Sequence, residues 1–144
     1  MRCYPCGVDS DVIDVAILLR RAQLRKQAAC DAALARWDMT LPQWGMLKAI
    51  ASHPDSSTHD LARSTGQSDQ AAGAVVARLE RRGLLQRRNL SGKAILHRLT
   101  PAGQKVLTRC DKTVADVVGA ALSGFTVKDV ATLRKQLRQL ADAL

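Results

Sequence analysis

The sequence predicts a mainly α fold that carries one small β-hairpin, and three observations predict it. Apolar residues recur at spacings of three and four through most of the chain. Ser- or Thr-led start signals and glycine stops cut that pattern into separate helices. One stretch, residues 84–99, changes to strand-like alternation about a turn-forming tetrapeptide. The length of 144 residues suits a single domain, 1–144, able to bury its own core. That core is aliphatic, since the chain is 47% apolar yet has one Phe, one Tyr and two Trp.

The first helix starts at Asp9, Ser10 or Asp11, any of which can cap it, and runs to about Trp37. Val12, Leu19, Ala22, Ala29 and Leu34 give it an apolar side, while Arg20, Arg21, Arg25 and Lys26 keep the other side wet. Thr40-Leu41-Pro42-Gln43 starts the second helix: Thr40 can accept from the Gln43 amide, the Gln43 side chain can reach back, and Pro42 needs no amide partner there. Pro54 forces its end. Ser57-x-x-Asp60 caps a short third helix that Gly66 stops. Ser68 caps a fourth, Asp69 complements its dipole, and Gly83 ends it in the left-handed conformation. Residues 84–88 and 93–99 flank Asn89-Leu90-Ser91-Gly92 as a hairpin. Thr100-Pro101 then opens a helix with an apolar stripe through Leu107, Cys110, Val114 and Val118, broken at Gly124. Thr126-x-x-Asp129 caps the last helix, whose Val130, Leu133, Leu137, Leu140 and Leu144 form a narrow seam suited to helix-on-helix packing.

Two short helices joined by a tight glycine-containing turn and followed by a two-stranded ribbon make a winged helix-turn-helix, whose second helix enters the major groove of DNA. Charge agrees with this. Twenty-two Lys and Arg against 13 Asp and Glu leave a net charge of +9, an imbalance that suits a polyanionic partner. Between residues 60 and 98 eight basic residues stand against three acidic ones. The expected DNA-contacting set is Gln67, Ser68, Asp69 and Gln70 in the exposed stretch 67–73, Arg78 farther along the same helix, and Arg87, Arg88, Lys93 and Arg98 on the ribbon. Gln can pair bidentately with adenine, and Ser with several base edges. The ribbon cations would hold phosphates, each steepening the salt dependence by a slope of about 0.9.

The run LPQWGMLKAI, then HDLARSTG, then VVARLERRGLL, a basic hairpin and HRLTPAG resembles the MarR-type transcriptional regulators in order and spacing. The resemblance covers about residues 10–144 and is most specific in RLERRGLL and LTPAG. It implies a winged helix-turn-helix lobe at 38–100, long dimerisation helices at 10–37 and 101–144, and a homodimer on palindromic DNA. It further implies repression relieved by a small phenolic or carboxylate ligand or by thiol oxidation. The chain departs from the family pattern at the wing tip, where Asn89-Leu90-Ser91-Gly92-Lys93 replaces the usual acidic–arginine pair, and at Gly73 and Ala74, where many members have Thr and a basic residue. Fewer base contacts are then expected, with specificity resting on Ser68, Gln70 and DNA shape.

Other chemistry is thinly represented. Cys3-x-x-Cys6 has the spacing of a metal or redox pair, but no second pair stands at ligand spacing, so Cys3 and Cys6 are redox candidates and no metal is expected. Cys30 and Cys110 read as inert small hydrophobes. His53 and His59 are expected at the surface and His97 on a strand, none with an attendant carboxylate set. No Ser-His-Asp order, P-loop or glycine-rich phosphate loop marks an enzyme, and no cofactor is expected. Trp37 and Trp44 flank the first helix joint; they read as core or, as candidate ligand-binding residues, as the lining of a pocket for a small aromatic effector. No apolar run reaches the ~18 residues of a membrane span, and MRCYPCGVDSD lacks the apolar core of a secretion signal, so a cytoplasmic location with reduced thiols is expected. The expected partners are double-stranded DNA and a second copy of the chain, with no membrane. Two readings stay open beside a ligand-released repressor: a thiol-based redox-sensing repressor, and a winged-helix module that binds protein.

Overall fold

The computed structural model describes residues 10–89 and 95–144. Cys3, Cys6, Lys93 and the predicted turn beyond Asn89 lie outside the described residues. Helix α1 (Ser10–Leu34) ends in a 3₁₀ turn, Ala35–Trp37, and Asp38 at φ 52° redirects the chain. Helix α2 (Leu41–Ser52) opens with the expected capping box, the Gln43 amide donating to Thr40 Oγ1 at 3.4 Å and the Thr40 amide to Gln43 Oε1 at 3.1 Å. Asp31 of α1 accepts from the Leu41 amide at 2.6 Å, which ties the corner from the other side. Then come β1 (Ser56–Ser57), α3 (Thr58–Thr65), α4 (Asp69–Arg81), β2 (Leu85–Asn89), β3 (Ile95–Leu99), α5 (Pro101–Ala121) and α6 (Val127–Ala143).

The ribbon has three strands, where the sequence predicts two. The antiparallel order is β1-β3-β2, with Ser56 opposite His97 and Leu85 opposite Leu99. Asp55 causes the addition: at φ 62° it turns the chain past Pro54, and its amide donates to the His97 carbonyl at 3.1 Å. That lays two extended residues along β3 before Ser57 caps α3, and two residues are too few to show a periodicity. Strand β2 starts one residue later than predicted, because the Leu84 carbonyl instead accepts from the Thr100 amide at 3.1 Å.

The core is aliphatic, as expected, and gathers on α2: Leu34, Met46, Leu47, Ile50, Leu61, Leu79 and Leu107 are all buried. Cys30 and Cys110 sit in the same cluster, and burial pushes both thiols above their ordinary range. The start of α5 is locked onto the end of α4. Thr100 Oγ1 donates to the Gly83 carbonyl at 2.6 Å and accepts from the Gly103 amide at 3.0 Å. A Cβ on Gly103 would stand 2.1 Å from the Leu84 carbonyl oxygen, so this close approach requires glycine. The two segments that carry the resemblance most specifically, RLERRGLL and LTPAG, therefore form one joint.

Helix α6 leaves the body of the chain. None of its residues is buried, and Val127, Leu137 and Leu144 face solvent together with Val12, Ile13, Val15, Ile17 and Leu18 of α1. Among the described residues no helix is long and apolar enough to cross a membrane.

Candidate nucleic-acid interface

Gly66, at φ 68°, stops α3 and lets the Gln67 amide donate back to the Ala62 carbonyl at 2.9 Å. Ser68 follows in extended conformation, and its Oγ accepts from the Ala71 amide at 3.1 Å. Both sides of the turn are thus closed by caps, which fixes α4 against α3. Ala72, Val76 and Leu79 face the core, leaving Gln70, Ala71, Ala74 and Arg78 turned outward. Ala72, expected in the exposed stretch, is buried because it shares the inner stripe of Val76 and Leu79 at spacings of four and three. Ser68, Asp69 and Gln70 are exposed, whereas Gln67 is half-buried and donates its Nε2 to Thr65 Oγ1 at 3.2 Å.

The cations of this lobe fall into two kinds. Arg78 lies 3.7 Å from Asp38, Arg87 3.5 Å from Glu80 and Arg88 3.7 Å from Asp55, long pairs at the surface that add little stability and can yield to a phosphate. Arg98 is different: its guanidinium grips Asp55 with two nitrogens, Nε at 2.8 Å from Oδ1 and a second to Oδ2. The Arg98 hydrogen bond holds the Asp55 carboxyl below the usual carboxylate range. Arg98 therefore braces the turn before β1. Arg82 is likewise engaged, donating to the Asp38 carbonyl at 2.6 Å and the Trp37 carbonyl at 3.2 Å.

Two of the histidines have the carboxylate partners that the sequence reading did not give them. His59, exposed as expected, points Nδ1 at both oxygens of Asp69, 3.0 and 3.1 Å away, across the helix-turn-helix. His97, on β3 as expected, is buried with Nδ1 3.3 Å from Glu80 Oε1 and Nε2 3.0 Å from Thr58 Oγ1. Burial pulls the His97 pKa below its ordinary value, with Glu80 opposing. These pairs join residues 10 and 17 positions apart on different elements, so no local spacing announces them.

A cleft of about 660 Å³ opens between α1, α2 and the α3–α4 turn, with Lys26, Trp44, Lys48, His53 and Gln67 on its walls. Trp44 Nε1 donates to Asp111 Oδ1 at 2.8 Å, and Lys48 reaches Asp111 Oδ2 at 3.0 Å, so α5 supports this wall. Trp37 is not part of it. Its Nε1 donates to Thr113 Oγ1 at 3.0 Å, and the Arg36 and Arg109 guanidinium groups each lie 5.2 Å from its ring centroid. A second, more apolar groove of about 710 Å³ runs between α1, α5 and α6 past Leu19, Ala22, Ala29, Val117, Val118 and Leu137. Among the described residues no three His, Cys, Asp or Glu side chains converge as a metal site would need.

The model of the MarR family matches residues 37–93, the stretch that holds the helix-turn-helix and strands β1 and β2. The PcaV transcriptional regulator of Streptomyces coelicolor, solved in complex with its natural ligand, is 25% identical and superposes with a TM-score of 0.77 over 99% of both chains. The chain is similar to the MarR family over residues 37–93 and shares its fold beyond them. A curated relative, the HTH-type transcriptional repressor Rv2887 of Mycobacterium tuberculosis, is 26% identical over 133 residues, 91% of this chain and 96% of its own. The crystal structure of Rv2887 with p-aminosalicylic acid superposes with a TM-score of 0.75 at 25% identity, over 88% of this chain and 97% of that one. A mutant of Escherichia coli MarR, crystallised with operator DNA, shares the fold at 20% identity and a TM-score of 0.78, over 93% of this chain and 98% of its own. In this chain α4 is the second helix of the helix-turn-helix and β2–β3 its wing.

Proposed function

We propose that this protein is a MarR-family homodimeric DNA-binding repressor that a small aromatic carboxylate releases. The observation that carries the reading is α4: its capped front presents Ser68, Gln70, Ala71 and Ala74 clear of the core, beside a wing that carries Arg87 and Arg88. Short side chains at 71 and 74 allow close approach to base edges, Gln70 can pair with adenine, and the wing arginines can exchange their long ion pairs for phosphates. Arg78 and Ser68 complete the surface, while Gln67 and Arg98 position it.

Residues 38–100 then form the DNA-binding lobe, and 10–37 with 101–144 the dimerisation helices. The exposed apolar side chains of α1, the groove beside α5 and the unburied seam of α6 supply a self-complementary surface. The dimer would set two α4 helices on successive major grooves about 34 Å apart. The effector would occupy the cleft beside Trp44, whose ring offers a stacking face, with Lys26 facing the carboxylate; among the described residues Lys26 has no ion pair. Structures of Rv2887 with p-aminosalicylic acid and with salicylic acid support this ligand class.

Genomic fragments retained by the protein, followed by gel shifts with and without salicylate and sedimentation of the free protein, test the reading. A dimer that binds a palindrome in a saturable, salt-sensitive way and lets go on addition of salicylate is expected. A monomer, or a protein that retains no duplex at 50 mM salt, overturns it.

A further inference from the structure

The only glutamate of the chain and a buried histidine meet beneath the wing. His97 lies at the centre of β3, 1% exposed, opposite Arg87 of β2 and Ser56 of β1. Its Nδ1 and Glu80 Oε1 face each other at 3.3 Å, and among the described residues these two are buried side-chain atoms with no hydrogen bond. The same Glu80 oxygen lies 3.5 Å from Arg87 Nε. One carboxylate oxygen thus faces an interior imidazole and an exposed guanidinium together. Nearby charges are otherwise occupied: Asp55, whose amide donates to the His97 carbonyl, by Arg88 and Arg98, and Lys48, the charge on α2, by Asp111.

The valences of the imidazole say what this arrangement does. In neutral His97 the proton belongs on Nδ1, toward the carboxylate, and Nε2 accepts from the Thr58 hydroxyl. Protonation puts a second N–H on Nε2, so Thr58 must turn to accept, and the imidazolium draws the Glu80 charge to itself. Arg87, 58% exposed, then loses its hold on the protein and stands free to meet a phosphate.

We propose that Glu80 and His97 are positioning residues of the wing that act on duplex DNA through Arg87. The inference rests on the DNA-binding reading of the wing. While His97 is neutral, Glu80 keeps Arg87 on the protein; neutralising Glu80, or protonating His97, hands Arg87 to the DNA.

The test measures binding to a non-specific duplex against salt concentration from pH 8 to pH 5.5. It uses a His53→Gln/His59→Gln background, in which His97 is the one histidine left to titrate. At pH 8 Glu80→Gln should steepen the log–log salt slope by about 0.9, which amounts to about eightfold tighter binding at 0.1 M relative to 1 M salt. This gain should vanish in an Arg87→Ala background. As the pH falls the background protein should drift toward the Glu80→Gln value, while Glu80→Gln itself stays level. A gain that survives Arg87→Ala, or a Glu80→Gln protein with unchanged affinity and slope, overturns the proposal. The pairing has its own readout without DNA, the NMR titration of the ¹³C-labelled His97 ring, whose midpoint should fall in Glu80→Gln. Should the background protein bind no duplex, the functional reading fails while an unmoved midpoint would still refute the pairing.

Discussion

Replacing Gly103 by alanine places one methyl group where the backbone of Leu84 already stands. The added Cβ would lie 2.1 Å from the Leu84 carbonyl oxygen and 3.0 Å from its carbon, so the carbonyl must retreat by roughly 1 Å to regain van der Waals contact. It is not free to do so. The Thr100 amide holds that oxygen at 3.1 Å, and the Thr100 hydroxyl holds the preceding carbonyl at 2.6 Å. Overpacking of this kind costs about 1–3 kcal/mol, and losing the Thr100–Leu84 bond adds about 1 kcal/mol. Alanine's helix preference returns less than about 1 kcal/mol. The net, about 1–3 kcal/mol, is a sizeable part of a typical domain's 5–15 kcal/mol. Gly73, in α4, has nothing within 4 Å of its would-be Cβ, so Gly73→Ala should instead stabilise by about 0.5–1 kcal/mol. Urea unfolding at one fixed protein concentration reads both, with the Gly103→Ala midpoint falling by about 1 M and the Gly73→Ala midpoint rising. Equal midpoints for Gly103→Ala and the parent protein, or a fall in both variants, would refute the account of the joint.

Three further outcomes are expected. Arg88→Ala with Lys93→Ala should weaken binding to all duplexes and flatten the salt slope by about 1.8, for two phosphate contacts; an unchanged slope removes the wing from the phosphate-binding surface. Burial holds the folded His97 pKa below the ordinary ~6.5, so the unfolded chain takes up a proton first and stability is full above ~6.5 and declines as the pH falls below it. Asp55, Asp60 and Asp129 are held down by hydrogen bonds, so the stability they contribute is present above ~3.9 and lost only as the pH falls through their lowered values. Urea midpoints that stay level from pH 7 to pH 5 would contradict the burial of His97. Finally, in a Cys3→Ser/Cys6→Ser protein the raised thiols of Cys30 and Cys110 should resist a thiol reagent at pH 7 and react only as the chain unfolds; prompt labelling of the folded protein would count against their burial.

What could be read from the sequence is what acts over three or four residues. The caps at Thr40, Ser57, Ser68 and Thr126 each join a side chain to an amide three residues on, and the structure contains all four. The stops at Gly66 and Gly83 have the positive φ that a helix end demands. Strand β1 escaped because Asp55, not a run of strand formers, lays Ser56 and Ser57 beside β3. The polar contacts that organise the site escaped for a different reason: Trp44 and Asp111 are 67 residues apart, Arg98 and Asp55 43 apart, and no local pattern selects one carboxylate from the chain's 13 acidic residues. Ala72 was legible in principle, since 72, 76 and 79 share a face, but an alanine carries too little apolar signal to declare which face it joins.

The same contacts connect the two proposed functional surfaces. Besides the shared apolar core, hydrogen bonds among the described residues join the proposed reading lobe to the start and middle of α5, at the Gly83–Leu84 joint with Thr100 and Gly103, and at Asp111 with Trp44 and Lys48. The first is rigid, because a backbone-to-backbone approach that tolerates no Cβ has no slack. The second is adjustable, because it consists of half-exposed side chains on the wall of the cleft. A ligand that shifts the Trp44 ring must therefore break the 2.8 Å bond to Asp111 or carry α5 with it, while the joint at Gly103 holds the base of the wing in place. Coupling by this route requires the ligand to bind the shifted arrangement better than the unshifted one, and its size is that difference in affinity. In an Asp111→Asn protein the amide can still accept from Trp44 but no longer holds Lys48, which separates the two halves of the adjustable contact.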